Sequence, residues 1–210
     1  MSSRNHLTGS KAAAVVLTGA TLLAMSSATH AGEWLLRGGV HAVDPKSGNH
    51  AVVSVDSAES LSFGVTYLYN ERWGVEVLGA LPFSHDIHLR ADNSKVAKTR
   101  HLPPTVSVQY HLAPRAKIRP YIGVGVNGTI FFDEKTRGAL ADEKLSLDSS
   151  FGFAGQLGAD FMLNDSWFIN IDARWIDIDT RAKLSGASIG TVAIDPLVLG
   201  VSVGWRFGGH

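Results

Sequence analysis

The chain has 210 residues, with 19 Lys and Arg residues against 19 Asp and Glu residues, and it has no cysteine. This length is typical of a single domain. The balanced charge argues against a nucleic-acid partner, and a chain without cysteine cannot depend on disulfides.

Residues 1–31 have the features of a secretory signal peptide. Arg4 and Lys11 precede a run of fourteen apolar and small residues, which is too short to span a bilayer as a helix, and small residues follow up to Ala31. We predict cleavage after Ala31, which leaves one domain at 32–210. Loss of the two basic residues leaves 17 Lys and Arg against 19 acidic residues, a net charge of −2.

The mature chain has apolar residues at alternate positions, a pattern that predicts β-strands. Eight such segments lie at about 33–43, 58–69, 73–86, 98–112, 119–132, 147–163, 167–181 and 191–207. Their connections alternate between short turns and longer polar loops. This alternation is typical of an up-and-down barrel whose two ends face different compartments. The predicted fold is therefore all-β, an eight-stranded antiparallel transmembrane barrel.

The last segment, "LVLGVSVGWRF", has large apolar residues on one face and small or charged residues on the other. In a closed barrel the apolar face contacts lipid, and every backbone group is paired without water. Aromatic residues near the short-turn ends predict a membrane-interface girdle on the periplasmic side. Its members are Trp34, Tyr69, Trp73, Tyr110, Tyr121, Phe161, Trp167 and Phe207. A soluble barrel with an apolar inside is the alternative, but the girdle and the loop asymmetry favour the membrane.

The opposite strand face carries a few charged and amide residues that are predicted to point inward. They are Arg37, Glu76, Gln109, Asp160, Asp172, Arg174 and Arg206. An eight-stranded barrel is narrow and mostly filled by side chains, and buried charges need partners. We therefore predict an interior charge network that plugs the barrel, in preference to an ion pathway.

Prolines interrupt the third and fourth segments. Pro82, Pro103 and Pro104 are predicted to lie side by side near the outer interface, and proline donates no ladder hydrogen bond. Two interpretations remain open: the prolines end the paired region, or they leave a sideways gap from barrel to bilayer. Pro45 and Pro196 suggest a second, weaker seam between the first and eighth strands.

Histidines near these prolines are poor candidates for a metal site. His85 and His88 are three residues apart on a strand, so they point to opposite faces, and no metal is predicted. Ser84, His85 and His101 are possible parts of an enzyme acting on lipid A, but no recognisable catalytic motif surrounds them.

Several stretches resemble the OmpW family of small outer-membrane proteins, to which the alkane-uptake protein AlkL belongs. They are "GVEVLGALPFSH", "HLPPTVSVQYH", "RPYIGVGVN", "AGQLGADFMLN", "DIDT" and "IDP". The resemblance covers nearly all of the mature chain and implies an eight-stranded barrel that passes small hydrophobic molecules. It also favours the sideways gap. Two positions depart from the family: Arg174 stands where some members carry an aromatic residue inside the barrel, and Gly208, Gly209 and His210 follow the terminal aromatic residue.

These features predict a passive outer-membrane channel for small hydrophobic molecules with lateral release into the bilayer. Leu78, Ala80 and Arg174 are the expected channel lining, above the charged plug. No catalysis or cofactor is expected. The expected partners are outer-membrane lipid, lipopolysaccharide, the solute and the barrel assembly machinery. The alternatives are a structural or receptor barrel that binds partners through its outer loops and, less favoured, a lipid A-modifying enzyme.

Overall fold

The computed structural model describes residues 32–46 and 53–209, and the predicted signal peptide at 1–31 lies outside them. The strands of the described ranges are β1 (Glu33–Asp44), β2 (Val53–Val55), β3 (Ala58–Leu68), β4 (Trp73–Ala80), β5 (Phe83–Leu89), β6 (Lys95–Leu102), β7 (Thr105–His111), β8 (Ile118–Thr136), β9 (Leu145–Leu147), β10 (Ser150–Met162), β11 (Trp167–Ile176), β12 (Asp179–Leu184), β13 (Ala187–Ala193) and β14 (Leu197–Gly208). The helical structure in these ranges is one 3₁₀ turn, Gly138–Leu140. No described helix has the length and apolar character needed to cross a bilayer.

Eight strands close into a ring in which every neighbouring pair is antiparallel. The order is β8, β10, β11, β14, β1, β3, β4, β7 and back to β8. Closure leaves the ring without edge strands, so its backbone groups pair within the protein. The predicted all-β, eight-stranded barrel is confirmed. The third, fourth, seventh and eighth predicted segments are each divided into two strands.

Short turns at one end of the ring, called here the lower end, join β3 to β4 and β10 to β11. The two turns are stabilised by the same pattern of side-chain hydrogen bonds. The side-chain oxygen of Asn70 accepts hydrogen bonds from the backbone N–H groups of Arg72 and Trp73, both at 2.8 Å. Asn164 accepts equivalent bonds at the other turn from Ser166 and Trp167. Asn-x-x-Trp therefore ends one strand, reverses the chain and starts the next.

The upper end extends beyond the ring. β5 and β6 pair with each other, β2 is added to β5, and β6 pairs with the upper part of β8. A separate three-stranded sheet of β13, β12 and β9 stands opposite. Apolar side chains from both sheets face each other and form two buried clusters, one of which extends down to the upper ends of the ring strands β1, β10, β11 and β14.

The outer surface of the ring is apolar, because alternate side chains point outward. On β14, Leu197, Leu199 and Val201 are exposed, whereas Val198 and Gly200 between them are buried. Above the ring the outward positions of β5 and β6 become polar, at Ser84, Asp86, Lys98 and Arg100. The apolar band therefore ends below β5 and β6.

Candidate functional site

Charged side chains cross the ring interior at mid-height. Arg37 donates hydrogen bonds to both oxygens of Asp160, at 3.0 and 3.2 Å, to Glu76 Oε1 at 3.3 Å and to Thr66 Oγ1 at 2.8 Å. These four residues come from four different strands, β1, β10, β4 and β3. The pairing thus connects well-separated parts of the barrel wall.

A second arginine extends the network from the same glutamate. Arg174 donates to Glu76 Oε2 at 2.7 Å and to Asp172 Oδ2 at 2.6 Å. Asp172 Oδ1 also accepts from His41 Nε2 at 3.1 Å, and His41 Nδ1 lies 2.5 Å from Ser62 Oγ. Glu76 is therefore held between two arginines.

An amide-rich arm continues the network from Asp160. Asn170 donates to Asp160 Oδ1 at 2.8 Å and to the Tyr121 hydroxyl at 3.0 Å. Gln156 reaches the same hydroxyl at 3.3 Å, and Gln109 donates to Gln156 at 3.1 Å. Hydrogen bonds thus link Gln109 to Arg37 without interruption.

Tyr121 was predicted to belong to the periplasmic aromatic girdle on the lipid-facing surface, and this prediction is wrong. Its side chain is 1% exposed and points inward. It packs beside Gly158, its partner on β10, and a Cβ at position 158 would overlap the tyrosine ring. The glycine leaves space for the ring, and the polar arm satisfies its hydroxyl.

Arg206 does not join this network. Its guanidinium binds Glu33, which lies near it at the lower end of the barrel, and both side chains are half-buried. Residue 206 is close to the end of β14, below the level of Arg37. The prediction that Arg206 is part of the plug is therefore wrong.

The network fills the barrel at mid-height. Arg37 also packs over the rings of Tyr121 and Phe168, at 5.3 and 5.5 Å from their centres. The void among the central side chains is only about 10 Å³, at the lower limit for one water molecule. Buried charges with this degree of pairing are characteristic of a closed, rigid core.

Strand pairing is interrupted between the β4/β5 and β6/β7 segments. It stops at Leu78 and Thr105 and resumes at Phe83 and His101. Four residues, 79–82, therefore face three residues, 102–104, with no ladder pairing between them in the described structure. Pro82, Pro103 and Pro104 lie within this interruption, called here the seam.

Because four residues face three at the seam, the inward and outward faces of β5 are exchanged relative to β4. Leu81 is exposed on the outside, whereas Phe83 is 2% exposed and points inward. Regular alternation would place Phe83 on the same outer face as Leu81, but the extra residue acts as a bulge and turns Phe83 inward. His85 and Ile87 consequently point inward as well.

The weaker seam predicted at Pro45 and Pro196 is absent from the described structure. Pairing of β1 with β14 continues to Asp44 and Leu197, and Lys46 N–H donates to the Ile194 carbonyl at 2.8 Å. Each proline is accommodated where its missing donor does not separate the strands.

A large apolar cavity lies above the ring, between the two upper sheets. Its volume is about 310 Å³. Val55, Ile87, Val96, Leu145 and Val192 are among its lining residues, and the few polar side chains in its wall include His85, Thr99 and His101. The chemistry of this upper cavity suits a small apolar molecule.

A smaller space lies below the upper cavity, beside the seam. Leu78, Ala80 and Arg174, the predicted channel lining, all contribute to its wall, together with Pro103. Its volume is only about 20 Å³. His101 lines both spaces and therefore separates them.

Aromatic packing holds His101 in place. Its ring stacks on Phe83 and on His85, with centres 5.4 and 4.9 Å apart, and lies 5.7 Å from Phe131. Burial and the neighbouring His85 lower the pKa of His101 to about 3, so the ring is neutral near neutral pH.

The remaining girdle residues lie around the lower end. Trp34, Tyr69, Trp73, Trp167 and Phe207 are exposed there, whereas Tyr110 and Phe161 are half-buried. Trp73 packs on Tyr110 at 4.8 Å, and Trp205 joins Phe207 to Trp167.

The alternative sites are not assembled. No group of three or more metal-ligating side chains occurs in the described ranges. Ser84 lies on the opposite face of β5 from His85 and on the opposite side of the sheet from His101. The Ser84 hydroxyl is therefore not brought together with the imidazole of His85 or of His101.

Several members of the polar network escaped the sequence analysis, although strand parity places them. His41 shares the inward strand face of Arg37 and Gly39, because these residues are two positions apart along β1. Asn170 likewise lies two positions before Asp172 on β11. Gln156 and Asp160 share a face in the same way. The inward face that contains the charged residues and Gln109 therefore also identifies these polar residues.

A closed eight-stranded antiparallel ring with an apolar outside, a lower aromatic girdle and a polar inside defines an outer-membrane β-barrel protein. Residues 30–207 match the OmpW family, and the chain belongs to that family.

Known relatives support the assignment. The chain is 39% identical over 203 residues to outer membrane protein W of Escherichia coli K12, covering 89% of this chain and 94% of that protein. It is 35% identical over 209 residues to outer membrane protein W of Vibrio cholerae, covering 90% and 96% of the two chains. The crystal structure of the outer membrane protein OprG from Pseudomonas aeruginosa superposes with a TM-score of 0.75 at 32% identity, covering 85% of this chain and 97% of that one. The protein is therefore located in the bacterial outer membrane.

Proposed function

We propose that this protein is a passive channel that takes small apolar molecules from the cell exterior and releases them sideways into the outer membrane. Such molecules are held back by the polar lipopolysaccharide layer outside the membrane. The upper cavity receives the molecule, and the seam is its exit to lipid. The process needs no energy source, cofactor or catalysed reaction.

The vertical order of three features carries this proposal. The apolar cavity of about 310 Å³ is uppermost, the seam lies beside the smaller space beneath it, and the polar network lies below both. An apolar molecule gains nothing by entering the charged network, since it cannot replace the hydrogen bonds there. The seam is the point where the barrel wall lacks ladder pairing at the level of the smaller space.

Passage requires movement at the bottom of the upper cavity. The space beside the seam has a volume of about 20 Å³, so His101 or Phe83 must shift for a solute to enter it. The contacts that hold these rings are stacking contacts, which are individually weak. Rearrangement at this level is therefore less costly than opening the network of ion pairs below.

Cross-linking the seam tests the route. The register of the pairs below, continued across the seam, sets Ala80 opposite Pro103, and the chain has no native cysteine. In Ala80→Cys/Pro103→Cys, oxidation should lower uptake of n-nonane by cells several-fold, and reduction should restore it. The control pair, Val77→Cys/Val106→Cys, joins direct partners on paired strands and should leave uptake unchanged. Undiminished uptake with the seam disulfide fully formed would contradict lateral release.

A further inference from the structure

The wall of the upper cavity contains a compact cluster of polar side chains. His85, Thr99 and His101 lie on the inward faces of β5 and β6, and each is more than nine-tenths buried. His85 and Thr99 are direct partners across the two strands, so their Cβ atoms are about 5 Å apart. The ring of His101 stacks on His85.

Two of these side chains, His85 and Thr99, each have a buried polar atom without a hydrogen-bond partner. His85 Nε2 and Thr99 Oγ1 make no hydrogen bond within the described structure. Thr180, in the wall of the same cavity, differs because its hydroxyl donates to the Asp148 carbonyl at 2.6 Å. Buried polar groups are normally paired, so unpaired ones in a cavity wall indicate a ligand that supplies the pairing.

The hydrogen-bonding role of His85 follows from its other nitrogen. Nδ1 lies 2.5 Å from the Asp56 carbonyl oxygen, which can only accept, so Nδ1 carries the proton. In the neutral ring Nε2 is then an acceptor. Burial lowers the pKa of His85, as it does that of His101, so both rings are neutral near neutral pH. A neutral cluster provides no positive charge for a carboxylate.

We infer that His85 and Thr99 form a binding site for the hydroxyl group of an apolar alcohol whose hydrocarbon part fills the upper cavity. A hydroxyl donates to His85 Nε2 and accepts from the Thr99 hydroxyl at the same time. An ether can only accept, and an alkane does neither. This inference rests on the proposed function, because it names the class of molecule that the cavity prefers.

Binding to the full mature protein in lipid nanodiscs tests the inference. The probes are 1-octanol, its isomer 1-methoxyheptane, and n-nonane, which match in heavy-atom count. The methyl resonance of Ile87, which lines the cavity, reports occupancy by any of them. The ¹⁵N resonance of His85 Nε2 should move with 1-octanol alone, and 1-octanol should bind more tightly than the other two.

Matched variants distinguish hydroxyl binding by His85 and Thr99 from binding of the hydrocarbon part in the upper cavity. Thr99→Val and His85→Phe should each reduce the preference for 1-octanol over n-nonane about 2–12-fold, the value of one hydrogen bond. Thr99→Ser keeps the hydroxyl and should keep the preference. Equal affinity for the three probes, or an unchanged preference for 1-octanol in Thr99→Val, would overturn the inference without contradicting the proposed channel. If none of the three probes perturbs the Ile87 resonance, both the inference and the proposed channel are overturned. The seam disulfide tests the channel independently.

Discussion

Glu76 on β4 and Arg174 on β11, 98 residues apart in the chain, form a 2.7 Å hydrogen-bonded ion pair inside the barrel. Arg37 binds the other oxygen of the same carboxylate. Because all three side chains are buried, removing the shared acid leaves two cations short of a partner.

Glu76→Gln should therefore lower the free energy of unfolding by about 3–5 kcal/mol, the typical cost of breaking a buried ion pair. Urea unfolding in lipid vesicles measures this. Glu71→Gln is the control: Glu71 pairs with Arg115 at 2.5 Å, but both side chains are exposed, so the loss of stability should be much smaller. Equal effects of the two changes would argue against a stabilising interior network.

Replacement of Pro82, Pro103 and Pro104 by Val or Thr should narrow the seam. The new backbone donors allow β4/β5 and β6/β7 to pair through the interruption, with about 1 kcal/mol per hydrogen bond formed. We expect a slightly more stable barrel and lower uptake of n-nonane. If the triple variant inserts normally and takes up n-nonane as well as the wild type, the prolines serve only to end strands.

Stability should decrease as the pH falls from 6.5 towards 5, and His101 should account for part of the decrease. Its folded pKa is about 3, whereas its unfolded value is 6.5, so the unfolded state binds a proton in this interval that the folded state does not. The contribution of His101 to the free energy of unfolding is therefore complete above pH 6.5 and declines as the pH falls. His101→Phe should reduce the pH-dependent loss between 6.5 and 5 by about 1–2 kcal/mol. Identical pH profiles for both proteins would show that the ring is not kept neutral.

Gly158→Ala should destabilise the barrel, by about 1–3 kcal/mol, because its Cβ would overlap the buried Tyr121 ring. Gly155, on the same strand, has no atom within 4 Å of an added Cβ. Gly155→Ala should therefore be neutral or mildly stabilising. The free energies of unfolding of the two variants check this, and a neutral Gly158→Ala would show that Tyr121 moves freely.

The strands, the lipid-facing side and the outer-membrane class could be predicted from the amino-acid sequence. A strand repeats every two residues, and a membrane barrel exposes one of its faces to lipid, so alternation along Leu197, Leu199 and Val201 identifies the outside. The same local regularity identified most of the inward charges, including Arg37 and Glu76.

Only the tertiary structure decided what depends on several strands at once. Phe83 points inward because four residues oppose three at the seam, a count that involves both strands. The space that the inward-pointing Tyr121 ring occupies depends on Gly158, its partner on the neighbouring strand. The upper cavity and the His85–Thr99 pair arise where two sheets face each other. Their positions depend on register and packing between distant segments, which alternation within one strand does not encode.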